Sequence, residues 1–290
     1  MLNKNLKDYF EKAQKERWAI GQFNISNLEA LRAIVQATKN LKSPVVIGTS
    51  EGESKFLGLK QAVALVKVFR KETGLPIFLN LDHGKSFEYI KRAIKAGYDN
   101  IHFDGSGSSL EKNIAITKKI AEYCHRRKVL IEGEINSIAG SSEILKKRPE
   151  IKEVNLTKPK DALKFIKETK VDSLAINIGT FHGMEVDREN PRIYLQKLRE
   201  IKERIGEKVF LVLHGGSGTP KEDIKEAIKL GIVKININTE LRVIYTETLK
   251  KTFKEKPEET TPYKYFPKVI SSIQKLVEEK IKLFGSINKI

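Results

Sequence analysis

The chain has 290 residues, of which 40% are hydrophobic, and a formal charge of +17 at pH 7, a length that fits one large α/β barrel with a substantial core. The single cysteine, Cys124, excludes an internal disulfide, and no stretch approaches the ~20 apolar residues of a membrane helix. The excess Lys and Arg is dispersed among acidic residues, without a basic tail, zinc-finger spacing or aromatic-basic RNA signature, so neither nucleic acid nor membrane is an expected partner.

In chain order the first predicted strand is "WAIGQFN" at 18–24, preceded by the polar opening "MLNKNLKDYFEKAQKERW", which has no signal-peptide core and makes a cytoplasmic location the expectation. Further strands are predicted at 44–48, 76–81, 100–103, 128–134, 173–178, 208–213 and 233–237, each a short apolar run. Segments of helical period such as "NLEALRAIVQATKN" follow them. Ser26 with Glu29 and Thr219 with Glu222 have capping-box spacing, and Pro220 suits a first helical turn. Strict alternation implies right-handed crossovers and a parallel sheet. Eight units point to a closed (β/α)8 TIM barrel, one domain over 1–290; an open doubly wound sheet is the runner-up, but no G-x-G-x-x-G follows the first strand. Two segments exceed the pattern. Residues 135–159 form a long connection expected to act as a lid. Residues 262–290 read as a C-terminal helical extension whose stripe Ile270, Ile273, Val277 and Ile281 would cover the barrel wall or a second subunit.

Barrel enzymes gather their chemistry at the C-terminal ends of the strands. Those positions read Asn24, Ser50, Asp82, His83, Asp104, Glu132, Glu134, His182, His214, Asn236 and Asn238. Three of the five histidines (His83, His182 and His214) fall just beyond strands three, six and seven. Three imidazoles with an open fourth position form a catalytic zinc site. His102 and His125 read as structural. Asp82 is placed to act as general acid and base, and Asp104 and Glu134 to bind a second cation or orient ligands. In "VLHGGSG" the amides of Gly215, Gly216 and Ser217 lead into a helix, and "NINTE" adds Asn236, Asn238 and Thr239, so the loops after strands seven and eight are the expected phosphate site.

On these residues the chain resembles the class II, metal-dependent fructose-bisphosphate aldolases and their tagatose-bisphosphate relatives. "AIGQFNISNLE", "LDHGKSFE", "FDGS", "IEGEI", "IGTFHG", "VLHGGSG" and "KININTELR" occur in family order, nearly end to end. The resemblance implies a Zn2+ site at His83, His182 and His214, with Asp82 moving the proton. It implies a second divalent or monovalent cation at Asp104 and Glu134. It also implies a dihydroxyacetone-phosphate site at Gly183, Gly215, Ser217, Asn236, Asn238 and Thr239, lined by Asn24 and Ser50. The expected partner is a small sugar phosphate, and the expected assembly a homodimer or homotetramer. Three positions depart from the family pattern. Val186 and Tyr263 stand where phosphate-binding cations are usual, and Ser142 where a lid glutamate is usual, with Glu143 next to it as the substitute. Lys85, Lys147 and Arg148 are the candidate compensating cations. The departures leave room for another ketose phosphate, or for a non-catalytic basic barrel that keeps the metal site.

Overall fold

The computed structural model describes residues 4–146, 149–151, 153–185 and 190–290. Helix α1 (Leu6–Glu16) precedes strand β1 (Ile20–Asn24), then come α2 (Leu28–Leu41), β2 (Val45–Ser50), α3 (Glu51–Leu57) and α4 (Leu59–Thr73). β3 (Ile77–Gly84), α5 (Phe87–Ala96), β4 (Asn100–Asp104), α6 (Leu110–His125) and β5 (Leu130–Glu134) continue the alternation. The long connection contains β6 (Gly140–Ile144) and a 3-10 turn at Glu153–Asn155; α7 (Pro159–Thr169), β7 (Ser173–Ala175) and β8 (His182–Met184) follow. The chain closes with α8 (Leu195–Ile205), β9 (Phe210–Leu213), α9 (Lys221–Lys229), β10 (Ile232–Ile237), α10 (Thr239–Glu255) and α11 (Pro262–Leu283).

β1, β2, β3, β4, β5, β7, β9 and β10 pair in parallel and close on one another as β10 meets β1, which is the (β/α)8 barrel. Alternation along each strand sorts the side chains. Outward residues such as Phe23, Ile47, Leu79, Ile101, Ile131, Leu211 and Ile235 are buried under the helices. A separate cluster closes the N-terminal end of the barrel, where Leu6, Tyr9 and Phe10 of α1 pack on Trp18, Ile20, Val46, Phe78, Phe210 and Val233. No described helix is long and apolar enough to cross a membrane.

The inward positions are polar where aliphatic layers are usual in this fold. Gln22, Asn80, Asn100, Glu132 and Lys234 are all fully buried. Lys234 Nζ lies 2.6 Å from Glu132 Oε2 and donates to Gln22 Oε1 at 2.9 Å. Asn80 donates to the same Gln22 oxygen, and Asn100 donates to Asn80. Burial alone would raise the Glu132 carboxyl, but Lys234 and His214 outweigh it and hold the group well below the carboxylate range. Removing one member of such a pair leaves a bare buried charge. Lys234→Met is therefore expected to lower the unfolding free energy by about 3–5 kcal/mol, and adding Glu132→Gln to recover much of that loss. Urea titration of the single and double variants checks this; equal losses in both would remove the ion pair from the account.

Several boundaries differ from expectation. α2 is capped by Asn27, whose side chain accepts from the Ala30 amide, so Ser26 makes no box. α9 starts at Lys221 behind Pro220 without a side-chain cap, because Thr219 Oγ1 donates instead to Gly215 O at 3.0 Å. The boxes that do form are Asn5 with Asp8 and Ser50 with Glu53. β7 stops at Ala175, three residues short of the predicted end, and the connection after β5 ends at Pro159, where α7 begins. Far from a bare loop, that connection pairs β6 with β8 as a two-stranded parallel sheet beside the barrel. Of the two fates for the C-terminal stripe, the wall is observed: Ile273, Val277 and Ile281 of α11 are buried, and the helix packs on α2 and α10.

Candidate active site

β3 ends in a left-handed step, with His83 at φ +50° where the ladder to β4 slips between Leu81 and Gly84. The His83 ring centroid is 4.9 Å from those of both His182 and His214, and the latter two are 6.0 Å apart. Three imidazoles from distant parts of the chain thus meet at the C-terminal mouth of the barrel.

Their partners fix the tautomers of two rings. His214 Nε2 is 2.7 Å from Glu132 Oε1, and His83 Nδ1 is 3.2 Å from Asp104 Oδ2. An ionised carboxylate only accepts, so both of these nitrogens carry the proton and the other two carry lone pairs. Those two, His214 Nδ1 and His83 Nε2, face each other at 3.2 Å. In the neutral rings these lone pairs repel, and a proton on His83 or a shared cation removes the repulsion. Nitrogens held at ~2.0–2.1 Å by a tetrahedral dication lie about 3.3 Å apart, so the spacing fits one. Asp82, His83, His102 and His214 each offer a ligand atom within 4.8 Å of the others, and His83, Asp104 and Glu134 form a second such group. His182 belongs to neither group and approaches His83 edge-on. Burial, then the neighbouring His83 and His214 rings, pushes His182 down to about 3. Burial also lowers His214, so both rings present neutral nitrogen near pH 7.

Asp82 sits at the edge of this cluster, buried, and accepts from Asn24 Nδ2 at 2.9 Å and Asn236 Nδ2 at 3.1 Å. Asn24 also donates to Glu53 Oε2 at 2.9 Å. Burial opposes ionisation of Asp82, yet His83, His102 and His214 outweigh it and hold the carboxyl well below its ordinary range. Ser50 caps α3, its Oγ accepting from the Glu53 amide while Glu53 accepts from the Ser50 amide.

Beside the imidazoles, Gly215 (φ +67°) turns the chain after β9, and a Cβ there would lie 2.4 Å from Phe181 O. Gly216 donates to Asn236 O, Ser217 Oγ accepts from the Glu240 amide at 3.3 Å, and Gly218 donates to Glu240 Oε1 at 2.7 Å. Asn190 ties the turn to β8, donating to Ser217 O and Gly183 O. Asn238 precedes Thr239, the buried first residue of α10, so a helix N-terminus faces the same region. Gly215→Ala is expected to cost at least about 1–2 kcal/mol from the left-handed backbone alone, read as a lower urea midpoint. An unmoved midpoint would show that the turn tolerates a side chain.

The family model "Fructose-bisphosphate aldolase class-II" matches residues 4–289. A probable fructose-bisphosphate aldolase of Bacillus subtilis is 37% identical over 281 residues, covering 96% of this chain and 95% of that one. The chain belongs to the class II fructose-bisphosphate aldolase family.

Related proteins of this family differ in what they cleave. A 6-phospho-5-dehydro-2-deoxy-D-gluconate aldolase of Shouchella clausii is 35% identical over 280 residues, covering 96% of this chain and 92% of its own. The crystal structure of the YdjI aldolase of Escherichia coli K12 superposes with a TM-score of 0.83 at 29% identity, covering 100% of this chain and 99% of the other. This class II aldolase is accordingly a lyase, of a family that is typically metal-dependent, and it carries a His and Asp cluster suited to a metal.

Each expected site residue of the aldolase that the structure describes lies on or beside this mouth, with Glu143 the outlier. Glu143 is exposed on β6, where its Oε2 accepts from Ser141 Oγ at 3.3 Å. Its strand is anchored by Arg242, which donates to Ser142 O at 3.0 Å and to Glu53 Oε1 at 2.7 Å. Tyr263 is 77% exposed and supplies no cation; Lys85 is exposed, its amide donating to Glu51 Oε1 at 2.8 Å. Lys147, Arg148 and Val186 lie outside the described residues.

Sequence reasoning missed Glu53, Arg242 and Lys234, and did not foresee the surroundings of His102. The last is fully buried, accepts the His83 amide on Nδ1 at 3.1 Å and points Nε2 at Glu134 Oε2, 3.2 Å away. Burial opposes a charge on this ring, while the Asp82 and Glu134 carboxylates favour one. The His83 amide proton aimed at Nδ1 opposes a second proton there, so we assign the neutral ring with its proton on Nε2. A usable signal was present, because polar residues recur two apart on one strand after another: Gln22 and Asn24, Asn80 and Asp82, Asn100 and His102, Glu132 and Glu134, Lys234 and Asn236. A period of two marks one face of a strand, here the barrel interior.

Proposed function

We propose that this chain is a zinc-dependent class II aldolase that reversibly cleaves a ketose phosphate, fructose 1,6-bisphosphate first among them, in glycolysis or gluconeogenesis. The observation that carries the metal reading is the convergence of three imidazoles at the barrel mouth, with His83 Nε2 and His214 Nδ1 facing each other at 3.2 Å. His182 supplies the third neutral imidazole, and Asp104 and Glu132 hold the far nitrogens of the other two, as carboxylates do behind metal-bound histidines. When bound, the dication acts as a Lewis acid that polarises the substrate carbonyl. Asp104 and Glu134 are where a second cation belongs.

Asp82 takes the proton from the substrate hydroxyl whose carbon is released as the aldehyde. Asn24 and Asn236 aim its carboxylate by donating to one oxygen each. The turn at Gly215, Gly216 and Ser217, with Gly183, Asn236, Asn238 and Thr239, receives the phosphate of the dihydroxyacetone half at a helix N-terminus. Asn24 and Ser50 line the sugar. Glu143 protonates the released half when β6 moves inward. The proposal includes a single domain over 1–290 and a cytoplasmic homodimer or homotetramer with no nucleic-acid or membrane partner.

A second reading concerns the substrate only. Tyr263 offers no charge-assisted contact to a distal phosphate, and such contacts are among the stronger ones. A less phosphorylated sugar, or the deoxygluconate phosphate for which the Shouchella relative is named, then becomes the better fit, and tagatose bisphosphate is the stereochemical alternative. Comparison of kcat/KM on these compounds separates the readings. Fructose 1,6-bisphosphate is expected to lead by tenfold or more, about 1.4 kcal/mol. A lead for another ketose phosphate moves the substrate, and cleavage of none of them overturns the proposal.

A further inference from the structure

We infer that His102 is a positioning residue of the metal centre, holding the main chain of His83 through Nδ1 and the Glu134 carboxylate through Nε2. Three observations carry it. His83 has a left-handed backbone at φ +50°, a conformation costly for a residue with a Cβ. Its amide cannot join the regular ladder, because β3 slips against β4 between Leu81 and Gly84. That amide donates to His102 Nδ1 at 3.1 Å, so a side chain from the neighbouring strand supplies the partner the sheet does not.

The other end of the ring is equally committed. His102 Nε2 and Glu134 Oε2 are both buried and lie 3.2 Å apart, at ion-pair distance, and neither makes a hydrogen bond of regular geometry with a described residue. Each is the nearest polar group to the other, so a small turn of the ring satisfies both. A neutral imidazole has one accepting and one donating nitrogen, and here both are used on groups that face the metal cluster. The ring is also packed against two of the ligand histidines, with centroids 4.5 Å from His83 and 4.6 Å from His214. An apolar side chain of similar size would fill this space and hold neither neighbour.

The inference rests on the metal reading proposed above, and the test separates the two. Metal-free parent, His102→Met and His102→Gln are titrated with Co(II) against a chromophoric chelator, and the ligand-field spectrum of each cobalt form is recorded. Glutamine can accept from the His83 amide and donate to Glu134; methionine does neither usefully. His102→Met is expected to bind cobalt 10–100-fold more weakly, the usual effect of losing a group that orients ligands, with shifted bands. His102→Gln should recover much of the affinity and the parent spectrum. A purely structural role would lower the melting temperature of the metal-free protein and leave affinity and bands alone. If His102→Met does not fold, His102→Asn, too short to reach both partners, takes its place with the same expectations. Parent-like affinity and bands in the methionine or asparagine variant overturn the inference alone. A parent that takes up no cobalt overturns the metal reading together with it.

Discussion

Exhaustive chelation takes cleavage to background, and one equivalent of zinc per chain restores it. The expectation follows from the chemistry of the donor set. Two imidazoles turn lone pairs toward each other at 3.2 Å, each locked in that tautomer by a carboxylate behind it. With both rings neutral this arrangement costs energy, and either a proton on His83 or a cation between the rings relieves it. No described residue other than this cluster offers a comparable electrophile near Asp82. Uptake should also depend on pH in a defined direction. Burial and His102 oppose a proton on His83, but Asp82, Asp104 and Glu134 outweigh them and raise its pKa above 6.5. A raised pKa means that metal-free His83 holds a proton below that value, which the metal must displace. His182, near 3, and the lowered His214 hold none there. Apparent affinity should therefore climb with pH by about tenfold per unit and level off once His83 has lost its proton. Full turnover in metal-free protein would end the metal reading; a flat affinity from pH 5 to 8 would end the assignment of that proton.

Asp82→Asn lowers kcat by about 10²–10⁴-fold, the range for a lost general base, equivalent to about 2.7–5.5 kcal/mol of barrier. Asparagine keeps the size of the side chain and removes its capacity to take a proton. In the parent, the Asp82 carboxyl stays well below its ordinary range despite burial, with His83 the largest lowering cause, and two carboxamides point it. Zinc content should stay at the parental level, because the three imidazoles remain. The distinguishing measurement is kcat beside metal analysis of the same sample. A variant that turns over normally removes Asp82 from the chemistry, whereas one that loses both zinc and rate identifies it as a ligand.

The architecture was legible because its signals are local. Eight apolar runs at regular intervals, each with a helical segment behind it, define the barrel whatever the details of the ends. The gathering of the histidines was legible too. His83, His182 and His214 were placed at one mouth by strand order alone, and their rings do meet there. The lid was read as irregular chain because "GSSEI" at 140–144 has no apolar alternation; it becomes a strand by pairing with β8, a contact made forty residues away. His102 was read as structural for a similar reason, since an imidazole inside a strand carries no mark of which neighbours its two nitrogens will meet.

What the sequence determined by itself is the periodicity, hence the barrel, and the inventory of side chains at its mouth. Tertiary structure alone decided which groups face the nitrogens of His83, His102 and His214, that a buried lysine neutralises Glu132, and that a left-handed turn offers the His83 amide to His102. The reason is range. Periodicity is set by contacts of each segment with water and core, whereas tautomers and buried charges are set by partners 20 to 130 residues distant, whose identity only closure of the barrel supplies.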